Sequence, residues 1–243
     1  MGSAPPRFSY WRASASLTFL NRGEPDATLP GVAVVSGLVT RRLLAGESAK
    51  EPVIPIGRAG TKDVDLAAAL IDGDSAAIAE LYDRFQAVVR KMLIRTLGSA
   101  NEVEDLTQET FLVVLRRIST LRDPQALSSF VIGSAIRVAR NELRKRAIRR
   151  WVGLDDGTLA GVHPDPELRD SVMRVYRALE RLDASSRVLF VLRHVEELEL
   201  TELAAALDVS LSTAKRRLAQ AERRFEAIAR NDPVLCRYLE GDP

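Results

Sequence analysis

The segment most informative about the fold is "ELTELAAALDVSLSTAKRRLAQAERRF", residues 199–225. Apolar residues recur there at helical spacing on both sides of a break at Asp208, and Ser210 is suited to cap the helix that follows. The small Ala204 lies where a second helix must cross closely. The spacing therefore predicts a helix-turn-helix with a short first helix and a long second helix over residues 211–230.

The second helix of this motif has one apolar side and one polar, basic side. The predicted buried stripe is Leu211, Ala214, Leu218, Ala221 and Phe225. A helix with short hydroxyls in its first turn and cations after it suits the major groove of DNA, since its start approaches base edges while cations reach phosphates. An ordinary helical hairpin with a basic surface remains an alternative. The candidate DNA-binding residues are Ser212, Thr213, Lys215, Arg216, Arg217 and Gln220.

A second basic helix is predicted upstream, over residues 125–150. Its predicted apolar stripe is Ile132, Ala135, Ile136, Ala139, Leu143 and Ala147. The opposite face carries Phe130, Ser134, Arg137, Asn141, Arg144 and Lys145, and Arg140 flanks that face. Such dense cations repel one another, and a polyanion relieves that repulsion with release of counterions. Asn141 could hydrogen-bond a base edge, and Phe130 offers a ring to an unstacked base. The alternative is a solvated basic helix end with Phe130 in the core.

The helix predicted in "NEVEDLTQETFLVVLRRI", residues 101–118, has a leucine on its polar side. Asn101 and Glu104 have the spacing of a capping box at its start. On a helical wheel Leu112 lies opposite the apolar stripe. A single exposed leucine needs no explanation, but an apolar contact ringed by charges is typical of a protein interface. The residues of this face are Asp105, Gln108, Glu109, Leu112 and Arg116.

Composition favours an all-α protein of two small helical domains. Of the 243 residues 46% are hydrophobic and only 5% aromatic, with helix formers prominent. We expect a poorly ordered extension over residues 1–60, one helical domain over 61–150, and a Gly-, Asp- and Pro-rich flexible linker over 151–167. A second helical domain follows over 168–232, and residues 233–243 form a C-terminal tail.

The sequence argues against several classes of function. A single cysteine, Cys236, excludes an intramolecular disulfide and suits a reducing compartment. The two histidines lie far apart in the sequence, so no metal-ligand spacing exists, and no cofactor is expected. No apolar run reaches the ~20 residues that span a bilayer, and no signal peptide is predicted. We find no nucleophile–base pair and no phosphate-binding glycine loop, so an enzyme is not expected.

The chain resembles a sigma factor of the extracytoplasmic-function (ECF) type in the sigma-70 family, over about residues 65–225. "EDLTQETFLVVLRRI" resembles the core-binding helix of region 2, and "RVARNELRKRAIRR" resembles the stretch that reads the promoter minus-ten element. The segment "LDASSRVLFVLRHVEELELTELAAALDVSLSTAKRRLAQAERRF" resembles region 4, which reads the minus-thirty-five element. The sequence departs from the family at three positions. Ser134 stands where an aromatic is frequent, Asp208 where glycine is usual, and Ala214 where a branched apolar residue is usual.

The resemblance implies a function and a set of partners. The face containing Asp105, Gln108 and Glu109 would bind core RNA polymerase, and the two basic helices would bind duplex and melted promoter DNA. The polymerase would perform the chemistry. An anti-sigma factor would hold the protein inactive, and the protein would be cytoplasmic, nucleoid-associated when bound to polymerase, and not inserted in a membrane.

Two other functions remain open from the residues alone. One is a dimeric helix-turn-helix regulator that binds DNA without polymerase, which leaves the Asp105 face and the first basic helix without a role. The other is a helical adaptor that sequesters a partner and does not bind DNA. Neutralising Arg216 and Arg217 would not change the function of such an adaptor.

Overall fold

The computed structural model describes residues 61–152 and 166–240, and all regular secondary structure within these ranges is helical. The predicted all-α class is therefore confirmed. The predicted extension over residues 1–60 and most of the predicted linker lie outside the described residues. The helices are α1 (Thr61–Ile71), α2 (Ser75–Leu97), α3 (Val103–Arg117), α4 (Leu127–Trp151), α5 (Pro166–Glu180), α6 (Ala184–His194), α7 (Leu200–Leu207), α8 (Leu211–Ala229) and α9 (Pro233–Glu240). Two 3₁₀ turns, Ile118–Thr120 and Pro124–Ala126, connect α3 to α4.

Several helix ends are explained by the local sequence. The backbone N–H of Ala76 donates to the side chain of Asp74 at the start of α2, and Gly98 ends that helix with φ of 69°. Ser210 caps α8 by accepting from the N–H of Thr213. Asp208 forms the turn before it in the left-handed conformation, with φ of 53°. Aspartate visits this conformation more readily than most residues, which explains how the turn forms without glycine.

The predicted capping box at the start of α3 is wrong. Glu102 is the N-cap residue, in a left-handed conformation with φ of 62°, and its side chain makes no capping hydrogen bond. The N–H of Asn101 donates instead to the hydroxyl of Ser99. Glu104 pairs with Arg90 of α2 at 2.8 Å, so its carboxylate ties two helices together.

The predicted C-terminal tail contains a further helix, α9. Asp232 caps it, because its Oδ1 accepts from the backbone N–H groups of Val234 and Leu235. Leu235 is buried in the core of the second half of the chain. Residues 233–240 are therefore part of the folded body.

Helix α6 lies between two apolar clusters and belongs to both. Val188, Leu189 and Leu192 pack with α1 to α4, whereas Phe190 and Val191 pack with α5, α8 and α9. Both faces of α6 are apolar, which explains how one helix serves two cores. The two predicted domains thus share a core in this structure. Leu198, Leu203 and Ala206 also belong to the cluster that contains α1 to α4, which we call the first apolar cluster.

Helix α4 is the central helix of the first half. It packs against α1, α2, α3, α6 and α7. Its first half is buried on nearly every side, and its second half emerges into solvent from about Arg140 onward. The exposed part of α4 is therefore the part that carries most of the basic residues.

Candidate polymerase and nucleic-acid interfaces

The outward face of α3 has the composition expected from the sequence. Leu112 is 51% exposed, and its exposed neighbours are Asp105, Gln108, Glu109 and Arg116. On the other side of the helix Phe111 and Val114 are buried. We call these five exposed residues the α3 face.

The α3 face rests on a rigid support. The ring of Phe111 packs against that of Tyr82 on α2, with centroids 4.9 Å apart. The buried hydroxyls of Thr107 and Thr110 donate to the carbonyl oxygens of Val103 and Leu106 in the preceding turn. The hydroxyls of Thr107 and Thr110 are therefore satisfied within α3, and the outward residues project from a well-packed helix.

The basic face of α4 is partly as predicted. Arg137, Asn141, Arg144 and Lys145 are exposed. Arg140 is half-buried, and Phe130 is half-buried against the first apolar cluster. We call the exposed residues together with Arg140 the α4 face.

The predicted exposure of Ser134 is wrong, since this residue is completely buried. Its hydroxyl donates to the carbonyl oxygen of Phe130, so the polar atom is satisfied within the helix. A helical wheel assumes that a helix packs on one side. At the level of Ser134, α4 is surrounded by neighbouring helices. Ala147, which the wheel placed in the apolar stripe, is exposed because it lies in the emergent half.

The cations of the α4 face lie in a crowded electrostatic environment. Burial lowers the pKa of Arg140, and Arg144 and Arg217 lower it further, although Asp183 raises it. Burial also lowers the pKa of Arg137, with a further contribution from Arg117. Both guanidiniums stay charged, but their charged state is less favourable than in water. A polyanion placed here would relieve that cost.

The basic residues at the end of α4 are less available than the sequence indicated. The buried carboxylate of Glu142 pairs with Arg146 at 3.2 Å and with Arg149 at 2.7 Å. Arg150 lies 3.5 Å from Glu180 of α5. These arginines therefore have structural partners, and the cations that face solvent concentrate around Arg137, Arg144 and Lys145.

The outward face of α8 matches the expectation for a recognition helix. Ser212, Lys215, Arg216, Arg217 and Gln220 are exposed. Thr213 is half-buried, and its hydroxyl lies 2.8 Å from that of Ser210. We call these six candidate residues, with Thr213 included, the α8 face. Ala214, Leu218, Ala221 and Phe225 are buried behind it as predicted, whereas Leu211 is 40% exposed.

A buried polar pair anchors α8 and could not be found from sequence. His194 Nε2 of α6 lies 3.0 Å from Glu222 Oε1 of α8, and both residues are buried. Burial lowers the pKa of His194, and the hydrogen bond with Glu222 opposes that effect. The only sequence signal was that both residues lie within helices that also carry apolar stripes.

Comparison with known proteins decides the family. Residues 81–149 match the model of Sigma-70 region 2, and residues 173–225 match that of Sigma-70, region 4. The chain belongs to the sigma-70 family. The first match contains the α3 and α4 faces and the second contains the α8 face, so each candidate surface lies within a matched region. We refer below to region 2 for α1 to α4 and to region 4 for α5 to α8.

Curated relatives place this sigma factor in the ECF group. It is 30% identical over 154 residues to the ferric citrate uptake sigma factor FecI of Escherichia coli, covering 60% of this chain and 87% of that protein. It is 31% identical to the ECF sigma factor SigF of Caulobacter vibrioides, covering 62% and 84% of the two chains. With SigM of Mycobacterium tuberculosis the identity is 25%, covering 71% and 87%. The chain is an RNA polymerase sigma factor, which directs transcription from specific promoters.

One solved structure that the comparison found is that of CnrH in complex with the cytosolic domain of CnrY. The identity is 23%, the TM-score is 0.49, and the match covers 70% of this sigma factor and 98% of that chain. Sigma factors have no enzymatic activity of their own. In the part of the chain that the structure describes, no helix has the length and apolar character needed to cross a membrane.

Proposed function

We propose that the α3 face is the surface by which this sigma factor binds core RNA polymerase. The observation that carries this assignment is Leu112, half exposed among Asp105, Gln108 and Glu109 on a helix whose other apolar side chains are largely covered. A desolvated apolar centre with a charged rim is a common design for a protein interface.

The α4 face binds the minus-ten element in this proposal. The cations Arg137, Arg144 and Lys145 contact phosphates, and Asn141 reads a base edge. Phe130, rather than the buried Ser134, supplies the ring that receives an unstacked base when the strands open. Its side chain is only partly buried, on the side of α4 that continues into the basic residues, which supports this role.

The α8 face binds the minus-thirty-five element. The hydroxyls of Ser212 and Thr213 lie at the start of the helix, where a recognition helix meets base edges. Lys215, Arg216 and Arg217 follow and reach the phosphates on either side. The proposed functional units are residues 61–150 for region 2 and 168–232 for region 4, with 151–167 as the connection between them.

Further parts of the proposal rest on family membership. The sigma factor works in the cytoplasm, joins the nucleoid when bound to polymerase, and is held inactive by an anti-sigma factor. The solved relatives named CnrH and RpoE are bound to partners in their structures, namely CnrY and the anti-sigma factor NepR. Those contacts are properties of those proteins.

Reconstitution with core polymerase tests the proposal. Purified chain and core enzyme are mixed, separated by size exclusion, and then assayed for run-off transcription on a library of promoters. We expect co-elution and discrete transcripts that require the chain. Failure to associate with core polymerase at low salt would overturn the assignment. A footprint on DNA without polymerase would favour an independent regulator.

A further inference from the structure

The outward side of α4 continues past its exposed cations into an apolar end. At ~100° per residue, Arg137, Asn141 and Arg144 lie on one side of the helix. Ile148 and Trp151 follow on the same side at the spacing of the next two turns. All five side chains are exposed, which agrees with this register. We call Ile148 and Trp151 the α4 tip.

The α4 tip is conspicuous for its exposure. Ile148 is 63% exposed, Trp151 is 88% exposed, and Val152 beside them is 50% exposed. Seven large hydrophobic side chains are exposed among the described residues, and three of them fall within positions 148–152. Single exposed apolar residues are ordinary. A cluster that includes a tryptophan, whose large ring dominates interface energetics, indicates a contact surface.

The cations around the tip are unequally available. Arg149 pairs with the buried Glu142 at 2.7 Å. Arg150 lies 3.5 Å from Glu180 of α5. Arg144, one turn before Ile148 on the side of the tip, is exposed to solvent. The tip therefore has a basic border on the side that leads into the α4 face, and its ligand must combine an apolar group with negative charge.

Charge decides between the candidate occupants of the tip. A second copy of the chain would bring the same cations together, because a two-fold contact places each surface against itself. DNA satisfies both requirements, since its phosphates attract the cations and the thymine methyl is an apolar group in the major groove. In the proposed function, on which this inference rests, DNA lies along the α4 face next to the tip.

The length of α4 determines which part of the promoter the tip reaches. At 1.5 Å per residue, Phe130 lies about 16 Å from Asn141 along the helix, and Trp151 lies about 15 Å from it in the other direction. Phe130 marks the end where the strands open, so Trp151 extends toward DNA that stays double-stranded. At ~3.4 Å per base pair, this distance corresponds to about four base pairs. Base faces are stacked in a duplex, so the ring meets groups in the groove.

The tip lies at the edge of the segment shared with the family. The region 2 match covers residues 81–149, so it includes Ile148 and ends before Trp151. Helix α4 itself continues through Trp151. The exposed indole is therefore a feature of this chain to which the family match assigns no role.

We propose that Ile148 and Trp151 extend the promoter-reading surface of α4 and contact thymine methyl groups in the major groove, about four base pairs upstream of the base that Asn141 reads. The contact adds a sequence preference on the upstream side of the minus-ten element. Its free energy comes from removing apolar surface from water, whereas a phosphate contact releases counterions and depends on salt.

Holoenzyme affinity for two matched promoters tests the contact. Both carry A·T pairs about three to five base pairs upstream of the base assigned to Asn141, and one of them has uracil for thymine there, which removes only methyl groups. We expect the wild type to prefer the thymine promoter roughly fourfold, the value of one buried methyl group. Trp151→Ala combined with Ile148→Ala should bind both promoters alike. Trp151→Phe keeps an aromatic ring and should keep a preference.

Salt dependence separates the tip from the cations beside it. The double alanine variant should keep the wild-type slope of log affinity against log salt. Arg144→Ala should reduce that slope by about 0.9 and keep the thymine preference. Circular dichroism should show wild-type helicity for the tip variants, because both side chains are exposed. Equal wild-type binding of both promoters, or an unchanged preference in the double variant, would overturn the contact.

A photocrosslink identifies what covers the tip. The residue p-benzoylphenylalanine is placed at position 151 in the full chain, and the holoenzyme is irradiated on the thymine promoter. We expect a crosslink to the DNA upstream of the minus-ten element. Crosslinks only to a polymerase subunit, to another segment of the same chain or to a second copy would overturn the contact and leave the proposed function standing. A wild-type holoenzyme that binds neither promoter would instead overturn the proposed function, and this inference with it.

Discussion

Gly133 on α4 and Ala206 on α7 bring regions 2 and 4 into backbone contact. A Cβ atom at position 133 would lie 2.6 Å from the carbonyl oxygen of Ala206. The obstructing atom belongs to a helix backbone, so no side-chain rotation relieves the clash. Docking of the two regions therefore depends on the absence of a single methyl group.

Gly133→Ala is expected to open the chain without unfolding it. Within α4 alone, alanine is favoured over glycine by about 0.5–1 kcal/mol, whereas overpacking against Ala206 costs about 1–3 kcal/mol. Scattering should show a larger radius of gyration, with unchanged helicity by circular dichroism. Ala147→Gly, on the exposed part of the same helix, should leave the radius unchanged. A compact Gly133→Ala variant with wild-type stability would contradict the closeness of this contact.

Leu112→Asp is expected to weaken binding of core polymerase by roughly tenfold or more, since burial of a leucine at an interface is worth about 1.5–3 kcal/mol. The melting temperature should change little because the side chain is already half in water. Val114→Asp is the matched control on the same helix. Val114 is fully buried, so this variant should lose stability. A comparable fall in melting temperature for Leu112→Asp would mean that the residue supports the fold.

Asp105→Arg is expected to reduce polymerase affinity through charge. If the opposing surface is basic, a reversed charge there costs several kcal/mol of binding free energy. Asp83→Arg makes the same change at an exposed site on another helix, α2. Fluorescence anisotropy with core enzyme at two salt concentrations measures both variants. Equal affinities for the two would remove Asp105 from the interface.

Arg216→Ala is expected to weaken promoter binding by the holoenzyme and to reduce the slope of log affinity against log salt by about 0.9, the value for loss of one phosphate contact. The melting temperature should not change, since Arg216 is exposed. Gln220→Ala, on the same face, removes no charge and should leave the salt slope unchanged. An unaltered slope for Arg216→Ala would place this cation away from the DNA.

His194 should make the stability of region 4 depend on pH. Its pKa in the folded chain is lowered by burial, although Glu222 opposes this and Arg193 reinforces it. In the unfolded chain the imidazole has its ordinary pKa of about 6.5, so the unfolded chain takes up a proton more readily than the folded one. The free energy of unfolding therefore falls as the pH drops below about 6.5. His194→Gln should show less destabilisation between about pH 7 and pH 5 in urea unfolding. Parallel curves for both proteins would contradict a depressed pKa.

The helices and their faces could be predicted from local sequence. Helical spacing of apolar residues located α3, α4 and α8, and short-range chemistry located the Ser210 cap. These features depend on residues within one or two turns of each other. A single sequence contains that information directly.

Burial that depends on distant contacts could not be predicted. Ser134 is buried because α4 has neighbours on most sides, and a wheel for one helix contains no knowledge of them. In the sequence Arg95 and Glu196 look like ordinary surface charges, because these two residues are 101 positions apart and only the fold pairs them. Arg187 shows a weak signal, since it directly precedes the apolar run "VLFVL". That run predicts a helix covered on both faces. An arginine on such a helix is buried and therefore needs a hydrogen-bond partner.

The shared core has a consequence for the lifetime of the protein. Leu189, Leu192 and Leu203 of region 4 are buried among side chains of region 2, so separation of the regions leaves an apolar strip without cover. Exposed strips of this kind favour aggregation and attract chaperones and proteases. We therefore expect separation of regions 2 and 4 to make the chain more susceptible to aggregation and proteolysis.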